Sequence, residues 1–496
     1  MRRTVPRRLD FISELRIVPD PSISKHRQLY EGLRRAIADG KLSGDDELPS
    51  TRELARELGV ARNTVITAYE MLLAEGYVTS RGGAGTFVAK NAADTAAQKP
   101  AASVEPRPLS GMADMFRVSR LATPTGFTRS FRPSSPSIDA FPYGTWSQTA
   151  RRVLRYGERA WMSESPPIGL RSLRKAIARH LHAFRSSPCD PDQIVITSGA
   201  QSGLFLCSML LLDPNDAVWI EDPGYQQARL AFRARTERVI PVPLDDFGID
   251  IETGRALSPQ PRLIFTTPTH QWPLGITMSS ARKRALLDFA TERGAWIVED
   301  DYDGDLRFDR STYAALRGLD GADRVIHLGT FTKTLTPGIR IGYLVLPPDL
   351  VEAFVAGQQT VDRFPNPIAQ AILAEFIEGG AYARHVYAMQ TLYLERHELM
   401  RARIASKLSG FLDSKASPGG TFTVTELVGG IDDIALADAF ERLGFDSLPL
   451  SRTYAGSPGK NGLLLGHAVS KPEDIRAGID TLARIAASPV SSIPAR

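Results

Sequence analysis

The sequence predicts two folded domains: a small α+β domain at the N-terminus and a large α/β domain built on a mainly parallel β-sheet. Length is the first observation, because 496 residues exceed what one hydrophobic core usually serves. The second is a set of helical patterns and one hairpin pattern, all before residue 90. The third is the alternation of short β-branched runs with longer helical patterns after residue 127, which is typical of parallel strands joined by helices.

Composition and charge exclude several classes of protein. Hydrophobic residues make up 43% of the chain and charged residues 23%, as in ordinary water-soluble proteins. The two cysteines, Cys189 and Cys207, cannot build a disulfide framework, and no Cys/His spacing is typical of a metal site. The basic N-terminal segment lacks the apolar stretch of a secretory signal, and no later run could span a bilayer. We expect a cytoplasmic protein with no membrane partner, whose net charge of +4 permits nucleic-acid binding without requiring it.

The small domain begins with two predicted helices. Leu29, Leu33 and Ile37 recur at every fourth position of SKHRQLYEGLRRAIADGKL, which predicts one apolar helix face. In LPSTRELARELG, the Ser50 side chain can cap the first amides of a second helix, and Gly59 can end that helix.

A third helix and a hairpin complete the small domain. RNTVITAYEMLLAEG carries one apolar face, and YVTSRGGAGTFVAK alternates around a glycine-rich tip. Two helices, a tight turn, a third helix and a hairpin form a winged helix-turn-helix, which we place at residues 20–89. Such a domain usually binds double-stranded DNA, and a winged helix used for protein contacts is the alternative.

The third helix is the predicted recognition helix. Its N-terminal residues would enter the major groove, where Arg62 and Asn63 can reach base edges and Thr64 can reach phosphate. Arg81 lies on the predicted wing and can contact the DNA backbone or the minor groove. The residues predicted to bind DNA are Arg52, Arg62, Asn63, Thr64 and Arg81.

Residues 90–127 are predicted to be a linker between the two domains. Alanine, proline and serine dominate this segment, no apolar period is visible, and the same composition continues to about residue 136. Its alanines and prolines should leave it partly extended. The large domain is therefore placed at residues 128–490.

Unusual polar residues follow several predicted strands of the large domain, where parallel sheets bind their ligands. TSGAQ, at residues 197–201, ends one strand and opens a helix whose first amides can hold a phosphate. VEDDYD, at residues 298–303, ends another strand with three adjacent acids. Nearby histidines and calcium-loop spacing are absent, so a protonated heterocycle is a better partner than a metal ion. An exposed acidic loop is the alternative.

Lys333 lies between two threonines in GTFTKTLTPGIRIGY, in a turn between two apolar strands. A desolvated lysine amine can form a Schiff base with an aldehyde. Pyridoxal 5'-phosphate (PLP) is an aldehyde whose ring nitrogen needs a carboxylate and whose phosphate needs hydroxyls, amides and an arginine. The strand ends of this chain offer all of these groups, so PLP is the predicted cofactor.

Two sets of motifs resemble one known family. LPSTRELARELGVARNTVITAYEMLLAEGY, at residues 48–77, is similar to the signature of GntR-family bacterial regulators. TSGAQ, EDPGY, TPTHQWPLG, EDDYD and TFTKTLTPGIRIGY together resemble the aminotransferase module of the MocR/GabR subfamily of GntR-family transcriptional regulators. The resemblance covers nearly the whole chain. It implies an α+β winged helix-turn-helix domain followed by an α/β, fold-type I PLP-dependent aminotransferase-like domain, in a homodimer.

The resemblance also implies roles for individual residues. Lys333 would form the Schiff base with PLP, Asp300 would pair with the pyridine nitrogen, and Tyr302 would bind the ring hydroxyl. Tyr225 would stack on the ring face. The residues expected around the phosphate are Gly199, Ala200, Gln201, Thr330, Thr332 and Arg340.

Two arginines are candidates for binding an effector. Arg452, in LSRTYAG, matches the arginine with which the family clamps a carboxylate, and a guanidinium can do so with two hydrogen bonds. Arg229 lies one helical turn beyond Tyr225 and can face the same site. A surface position is the alternative for both arginines.

The chain departs from the family pattern at three places. Glu47 stands where relatives often carry a basic residue, so a phosphate contact from this position is left open. Trp272 occupies the position of an asparagine that binds the cofactor in aminotransferases, and His270 or Gln271 is expected to take over that polar role. The segment 156–174 is longer than usual, which leaves the partner subunit's contribution to the site open.

Three functions are compatible with these features. The first is a transcriptional regulator that binds operator DNA and senses PLP or an amino compound through the Schiff base at Lys333. The second is an active aminotransferase with an accessory N-terminal domain, and residual half-transamination is compatible with both. The third, a DNA-binding protein with an empty large domain, is disfavoured because Lys333, Asp300 and Arg340 are all present. We expect the first, a regulator rather than an enzyme; sequence does not identify its effector.

Overall fold

The computed structural model describes residues 12, 15, 17, 18, 23–81, 85–90, 107–118, 129–309 and 313–487. The chain divides into two compact units, Met1–Leu109 and Ser110–Arg496. The boundary between these units falls inside the segment predicted as a linker, 90–127. The glycine-rich wing tip at 82–84 and most of that linker lie outside the described residues.

The described residues of the first unit form three α-helices and a β-hairpin, as the sequence predicts. They are α1 Lys25–Ala38, α2 Thr51–Leu58, α3 Arg62–Ala74, β1 Val78–Arg81 and β2 Gly85–Val88. The two strands pair antiparallel, with Val78 opposite Val88. This order of elements is that of a winged helix-turn-helix.

Local signals determine the turn between α2 and α3. Ser50 Oγ accepts a hydrogen bond from the Glu53 amide at 3.3 Å and so caps α2. Gly59 ends α2 with a φ of 61°, a left-handed conformation that suits glycine. Leu54 of α2 and Val65 of α3 are fully buried in one core, which holds the two helices together.

One part of the alanine- and proline-rich segment differs from the prediction, and a second part belongs to the large unit although its composition is that of the linker. Gly111–Val118 forms helix α4, where composition predicts an extended chain. Residues 129–136 belong to the large unit, because Phe131 is fully buried there. Its ring packs edge-on against Phe440 and Phe445, with centroids 5.3 and 5.5 Å away. One buried aromatic ring leaves no periodic pattern, so composition alone misses this anchor.

The second unit alternates strands with helices along the chain. Its helices are α5 Tyr143–Tyr156, α6 Arg171–Arg185, α7 Ala200–Leu211, α8 Gln226–Arg233, α9 Ile251–Leu257, α10 Ser280–Arg293, α11 Val351–Val361, α12 Pro367–Glu378, α13 Ala381–Lys407, α14 Asp433–Arg442 and α15 Pro472–Ala486. Its strands are β3 Ile194–Thr197, β4 Val218–Asp222, β5 Val239–Asp245, β6 Gly248–Ile249, β7 Leu263–Thr266, β8 Trp296–Asp301, β9 Val325–Thr330, β10 Gly342–Val345, β11 Leu412–Ser414, β12 Thr423–Leu427, β13 Leu448–Pro449 and β14 Leu463–Leu465. Short 3-10 helices lie at Ile138–Ala140, Arg159–Met162, Pro191–Gln193, Leu316–Leu319, Pro337–Ile339, Pro348–Leu350 and Leu450–Thr453.

The main sheet of the second unit has eight strands in the order β3-β10-β9-β8-β7-β4-β5-β6. β10 runs antiparallel to both of its neighbours, and β6 runs antiparallel to β5, whereas the remaining pairs are parallel. The predicted mainly parallel sheet is therefore confirmed. A second, antiparallel sheet has the order β11-β12-β14-β13 and shares a core with α14 and α15.

Burial on both faces explains why the strands of the main sheet are continuous apolar runs. Every residue of β3, β7 and β10 is buried. Leu204 of α7 and Phe232 of α8 pack on one face, and Leu286 of α10 packs on the other. Within the described part of the chain, no helix is both long and apolar enough to cross a membrane.

Candidate functional site

The carboxyl ends of the parallel strands meet at one edge of the main sheet. β10 lies between β3 and β9, and its Gly342 pairs with both Thr197 and Thr330, the last residues of those strands. On the other side of β9, Asp301 at the end of β8 pairs with Gly329. The motifs predicted to bind PLP therefore lie side by side, as in other ligand sites at strand ends.

The turn after β3 forms a cradle suited to an anion. Gly199 precedes α7 with a φ of 98°, and a Cβ atom added there would lie 3.6 Å from the guanidinium carbon of Arg340. Ala200 and Gln201 begin α7, whose first amides and helix dipole attract negative charge. Glycine thus keeps the space between the Arg340 guanidinium and the helix start open, which fits a phosphate group.

Thr330 and Thr332 form the turn that carries Lys333. Thr330 Oγ1 accepts a hydrogen bond from the Thr332 amide at 3.2 Å and keeps its own proton for another acceptor. Gly342, the partner of Thr330, packs directly on the backbone of Gly199. The two threonines therefore adjoin the anion cradle.

The Lys333 amine is held inside the site. Its Nζ donates a hydrogen bond to the Ser134 carbonyl at 2.8 Å. Burial lowers the pKa of Lys333, the carboxylates of Asp300 and Asp303 oppose that shift, and the charge of Arg132 adds to it. Because the neutral amine is the form that attacks an aldehyde, desolvation favours the chemistry predicted for Lys333.

Two of the three adjacent acids are satisfied by other protein groups. Glu299 contacts His327 Nδ1 at 3.1 Å and accepts a hydrogen bond from the Arg317 amide at 3.1 Å. Asp301 accepts two hydrogen bonds from the Arg185 guanidinium, each 2.7 Å long. Both acidic side chains are buried, so an exposed acidic loop is excluded.

Asp300 is the acid without a full set of partners. It is 4% exposed, and its Oδ1 has no hydrogen-bond partner among the described residues. Burial, reinforced by the charges of Asp301 and Asp303, raises the pKa of Asp300 to about 8, although Lys333 opposes this shift. A buried acceptor without a donor is costly. A protonated pyridine nitrogen would supply both the donor and the positive charge, so Asp300 fits PLP.

Both tyrosines predicted to bind the ring lie near these groups. Tyr302 Oη lies 3.0 Å from His270 Nδ1, and burial raises the pKa of Tyr302 well above its usual value, so its hydroxyl keeps its proton. Tyr225 precedes α8 and packs edge-on against Trp272, with ring centroids 5.6 Å apart. Burial, and then the charge of Asp300, raise the pKa of Tyr225, so its hydroxyl keeps its proton.

His270, rather than Gln271, faces the predicted ring-binding residues. The Gln271 side chain is used within the protein, because its Nε2 donates to the Pro223 carbonyl and its Oε1 accepts from the Leu274 amide, each at 2.9 Å. His270 contacts Tyr302 instead. Of the two residues expected to act in place of the asparagine, the geometry therefore favours His270.

Arg229 and Arg452 come from elements that meet at the loop after β4. The Gly224 amide of this loop donates a hydrogen bond to the Thr453 carbonyl at 3.2 Å. Arg229 is half-buried on α8, directly after the loop, and Arg452 is exposed on the 3-10 helix that the loop contacts. Asp222 faces Arg229 and partly opposes the lowering of its pKa by burial. Both arginines are thus placed beside the loop that carries the predicted stacking tyrosine.

The start of α3 presents an exposed polar surface. Arg62 and Asn63 are exposed, and Thr64 is half-buried. The first turn of α3 contains no acid and no side-chain cap, so its amides and dipole favour a phosphate group. Arg62 Nε donates to Thr51 Oγ1 at 3.3 Å, next to the exposed Arg52 in the first turn of α2. Four of the five residues predicted to bind DNA therefore lie around one helix start.

Arg81 on the wing has partners within its own domain. Its guanidinium pairs with Asp45 at 2.5 Å, where both side chains are about half exposed, and lies 4.6 Å from the ring centre of Phe87. An exposed ion pair of this kind contributes little to stability, so Arg81 can exchange Asp45 for a phosphate. Its contact with DNA stays a prediction.

Sequence reasoning missed four residues that lie in or beside the site. Asp303 is part of the acidic motif, three residues after Asp300, and this spacing is the signal that could have identified it. Arg132 and Ser134 lie in a stretch whose composition is that of a linker. Ser417, which contacts His270, belongs to no motif. Only the folded chain brings these residues together.

Comparison with known proteins agrees with this architecture. Residues 25–88 match the family "Bacterial regulatory proteins, gntR family", and residues 143–433 match "Aminotransferase class I and II". The chain is 37% identical to the probable rhizopine catabolism regulatory protein MocR of Rhizobium meliloti, over 93% of this chain and 94% of that protein. It is 30% identical to the HTH-type pyridoxine biosynthesis transcriptional regulator PdxR of Corynebacterium glutamicum, over 92% of this chain and 95% of that protein.

The large unit also resembles solved aminotransferases. The crystal structure of an archaeal alanine:glyoxylate aminotransferase matches with a TM-score of 0.68 and 28% identity, over 76% of this chain and 95% of that chain. The predicted aminotransferase fold is therefore confirmed. Since the regulators align along nearly the whole length, the chain belongs to the MocR/GabR subfamily of GntR-family transcriptional regulators, in which a winged helix-turn-helix domain is joined to an aminotransferase-like domain.

Proposed function

We propose that this protein is a bacterial transcriptional regulator that binds operator DNA through its winged helix-turn-helix and binds PLP in its aminotransferase-like domain. PLP itself or an amino compound would be the signal. Two relatives that align over more than nine-tenths of the chain, its winged helix-turn-helix included, are named as regulators, which supports regulation of a gene rather than metabolic turnover.

The observation that carries the PLP proposal is Asp300 Oδ1, which lacks a hydrogen-bond partner in the part of the chain that the structure describes. Its two neighbouring acids are already paired, and a cationic donor from a ligand would match this buried oxygen. The cradle between Gly199 and Arg340 would take the phosphate, and Tyr302 would donate to the ring hydroxyl. When bound, PLP supplies an aldehyde that condenses reversibly with amines.

Lys333 would report the state of the site to the start of the large domain. Its free amine donates to the carbonyl of Ser134, in the segment that directly follows the linker. When the Lys333 amine is bonded to the cofactor, it would no longer donate that hydrogen bond. An amino effector that displaces Lys333 from the cofactor would allow the hydrogen bond to form again. This difference would bias two arrangements of the chain if they bind the effector unequally.

Arg229 and Arg452 would give the effector its chemical class. Two guanidinium groups beside the loop after β4 favour a carboxylate. Together with an amine that can displace Lys333, a carboxylate defines an amino acid or a related amino compound. PLP alone is the other candidate signal.

The test is binding of the purified protein to labelled DNA from upstream of its own gene and of neighbouring genes. Fluorescence anisotropy would be measured without cofactor, with PLP, and with PLP plus candidate amino acids. A response to PLP alone identifies a PLP sensor, whereas a response that also needs an amine identifies an amine sensor. Absence of specific DNA binding under every condition would contradict the proposal.

We also infer a homodimer. Helix α5 exposes Leu154 and Tyr156, at 63% and 74% of their surfaces, and exposed apolar side chains of this size support an interface with a second copy. Sedimentation at several concentrations measures the oligomeric state. A monomer at micromolar concentration would contradict this inference.

An active aminotransferase with an accessory N-terminal domain is the second candidate. It is favoured by the presence of Lys333, Asp300 and Arg340 around one site. Sustained turnover of an amino donor without specific DNA binding would support this alternative. A single half-transamination that consumes bound PLP once is compatible with the regulator.

A further inference from the structure

An acidic segment lies along the wing of the winged helix-turn-helix. Residues 44–48 read GDDEL, so three acids follow one another shortly before α2. The Asp45 amide donates a hydrogen bond to the Val88 carbonyl of β2 at 2.9 Å, and Glu47 pairs antiparallel with Phe87 of the same strand. Backbone hydrogen bonds therefore fix these acids beside the hairpin.

The carboxylate of Asp45 contacts two basic side chains at the hairpin. Its Oδ1 lies 2.5 Å from Arg81 Nη2, and its Oδ2 lies 3.6 Å from Lys90 Nζ. The hydrogen bond from Arg81 lowers the pKa of Asp45, so the carboxyl group is ionised at neutral pH. One carboxylate thus pairs with two cations.

These three charged side chains are open to solvent. Arg81 is 53% exposed, Asp45 44% and Lys90 76%. Ion pairs with this much exposure are weak, because water and salt compete with them. A second anion can therefore reach Arg81 and Lys90 and replace the carboxylate of Asp45.

The backbone, and not the side chain, brings position 45 to the hairpin. Asp45 has a φ of 68°, a left-handed conformation that glycine adopts readily and that aspartate and asparagine tolerate. A Cβ atom added at Gly44 would lie 2.8 Å from Lys90 Cα, so the chain passes close to Lys90 there. Asparagine or glycine at position 45 would therefore keep the course of the backbone and remove the charge.

Arg81 and Lys90 carry the kind of charge with which proteins bind DNA phosphates. A phosphate that binds both side chains must displace Asp45 from them. We propose that Asp45 is an internal competitor for DNA phosphates, which lowers the affinity of the wing for DNA and makes that affinity less dependent on salt. This inference rests on the proposed binding of operator DNA through the winged helix-turn-helix.

Competition at the wing acts on DNA of every sequence, because phosphate contacts carry no sequence information. Arg62 and Asn63, which are predicted to reach base edges, belong to α3, and the Arg62 side chain donates to Thr51 instead of to an acid. Asp45 therefore weakens the binding of the protein to the many unrelated sites of a genome without altering the residues predicted to recognise the operator.

The strength of the ion pair sets the size of the effect. An exposed pair of this kind changes an equilibrium constant by about two- to fivefold. Each phosphate that a protein cation neutralises adds about 0.9 to the slope of log affinity against log salt concentration, because counterions are released from the DNA. A carboxylate set free in the same step attracts a cation from solution, so Asp45 reduces that slope.

The test is fluorescence anisotropy of the full-length protein with two labelled duplexes, one from upstream of its own gene and an unrelated one of the same length, from about 50 to 200 mM salt. Asp45→Asn should bind both duplexes about two- to fivefold more tightly at the lowest salt, with a slope steeper by up to about 0.9. Asp39→Asn is the matched control, because it removes the same charge from an exposed position at the end of α1. It should leave the slope unchanged.

A second background separates competition from simple repulsion between Asp45 and DNA. A protein that carries Arg81→Ala and Lys90→Ala lacks both cations that the structure places against Asp45. Adding Asp45→Asn to that protein should therefore lose most of its effect. An undiminished gain in affinity would show that the carboxylate repels DNA directly, and it would overturn the competition.

Asp45→Gly is the second test variant, and it replaces Asp45→Asn if the asparagine protein does not fold. Its positive φ suits glycine, so the backbone beside the hairpin should be retained. Asp45→Gly should reproduce the tighter binding and the steeper slope of Asp45→Asn. Wild-type affinity and slope in a folded Asp45→Gly protein would overturn the role of the carboxylate.

The outcomes distinguish this inference from the proposed function. A wild-type protein that binds the upstream duplex, with the same affinity and slope in Asp45→Asn, would overturn the role of Asp45 and leave DNA binding intact. A wild-type protein that binds neither duplex would overturn both. A steeper slope that Asp39→Asn reproduces would also overturn the role of Asp45, since it would reflect only the net charge of the domain.

Discussion

Asp300→Asn should change how the stability of the cofactor-free protein depends on pH. In the folded protein, burial and the neighbouring charges of Asp301 and Asp303 raise the pKa of Asp300 from 3.8 to about 8. The unfolded chain ionises Asp300 near the lower value, so between the two values the folded state binds one more proton. The stability that this proton contributes is fully present below the lower pKa and is lost as the pH rises toward 8.

The size of the change in unfolding free energy follows from the pKa shift of Asp300. Each pH unit between the two pKa values costs about 1.4 kcal/mol of unfolding free energy. The interval from pH 6 to pH 9 therefore costs the wild type about 3 kcal/mol, because the curve levels off only above pH 8. Asparagine does not ionise, so the variant should gain about 3 kcal/mol relative to wild type between pH 6 and pH 9.

Urea unfolding followed by tryptophan fluorescence measures this difference in the large domain alone. All five tryptophans lie between Trp146 and Trp296, so the winged helix-turn-helix contributes no signal. Asp288→Asn, at an exposed position of α10, is the matched control and should follow the wild-type pH profile. A difference between Asp300→Asn and wild type that is equal at both pH values would refute the reasoning. It would mean that Asp300 ionises in the folded protein without a desolvation cost.

Bound PLP should reduce the difference in unfolding free energy by which Asp300→Asn exceeds the wild type at high pH. A protonated ring nitrogen beside Asp300 favours the carboxylate, so PLP should stabilise the wild type more than the variant. The same unfolding experiment at several PLP concentrations measures this. Equal stabilisation of both proteins would contradict the pairing of Asp300 with the ring nitrogen.

Three further substitutions test other parts of the molecule. Lys333→Ala should abolish the absorbance that remains after free PLP is removed, while DNA binding stays measurable; retained absorbance would show that another group binds the cofactor. Arg62→Ala should weaken operator binding by about 1–3 kcal/mol in fluorescence anisotropy without changing PLP absorbance, and an unchanged affinity would count against the predicted recognition helix. Phe131→Ala should lower the unfolding free energy of the large domain by about 3–5 kcal/mol in urea, because its ring is fully buried. A negligible decrease would show that residues 129–136 do not anchor that domain.

The fold could largely be predicted from the sequence because its signals are local. Apolar residues at every fourth position, the cap at Ser50 and the glycine at Gly59 define the first helices within a few residues of each other. Strands buried on both faces are continuous apolar runs, which the sequence displays directly. Helix α4 and the anchor at Phe131 were not predictable in this way. They depend on apolar contacts with distant residues, such as Phe116 with Phe205 and Phe131 with Phe440.

The features of the candidate site can also be separated into those that the sequence predicts and those that depend on distant contacts. The order of residues along the chain shows that Lys333, Asp300 and the turn at Gly199 follow strands, and parallel strands bring their carboxyl ends to one edge. The folded chain selects which of the three acids has an oxygen without a partner among the described residues, because Arg185, 116 residues away, pairs with Asp301. It likewise gave Lys333 a carbonyl partner 199 residues away and gave His270 a contact with the Asp303 carboxyl group. Protonation and pairing depend on burial and on distant partners, and neither leaves a pattern along the chain.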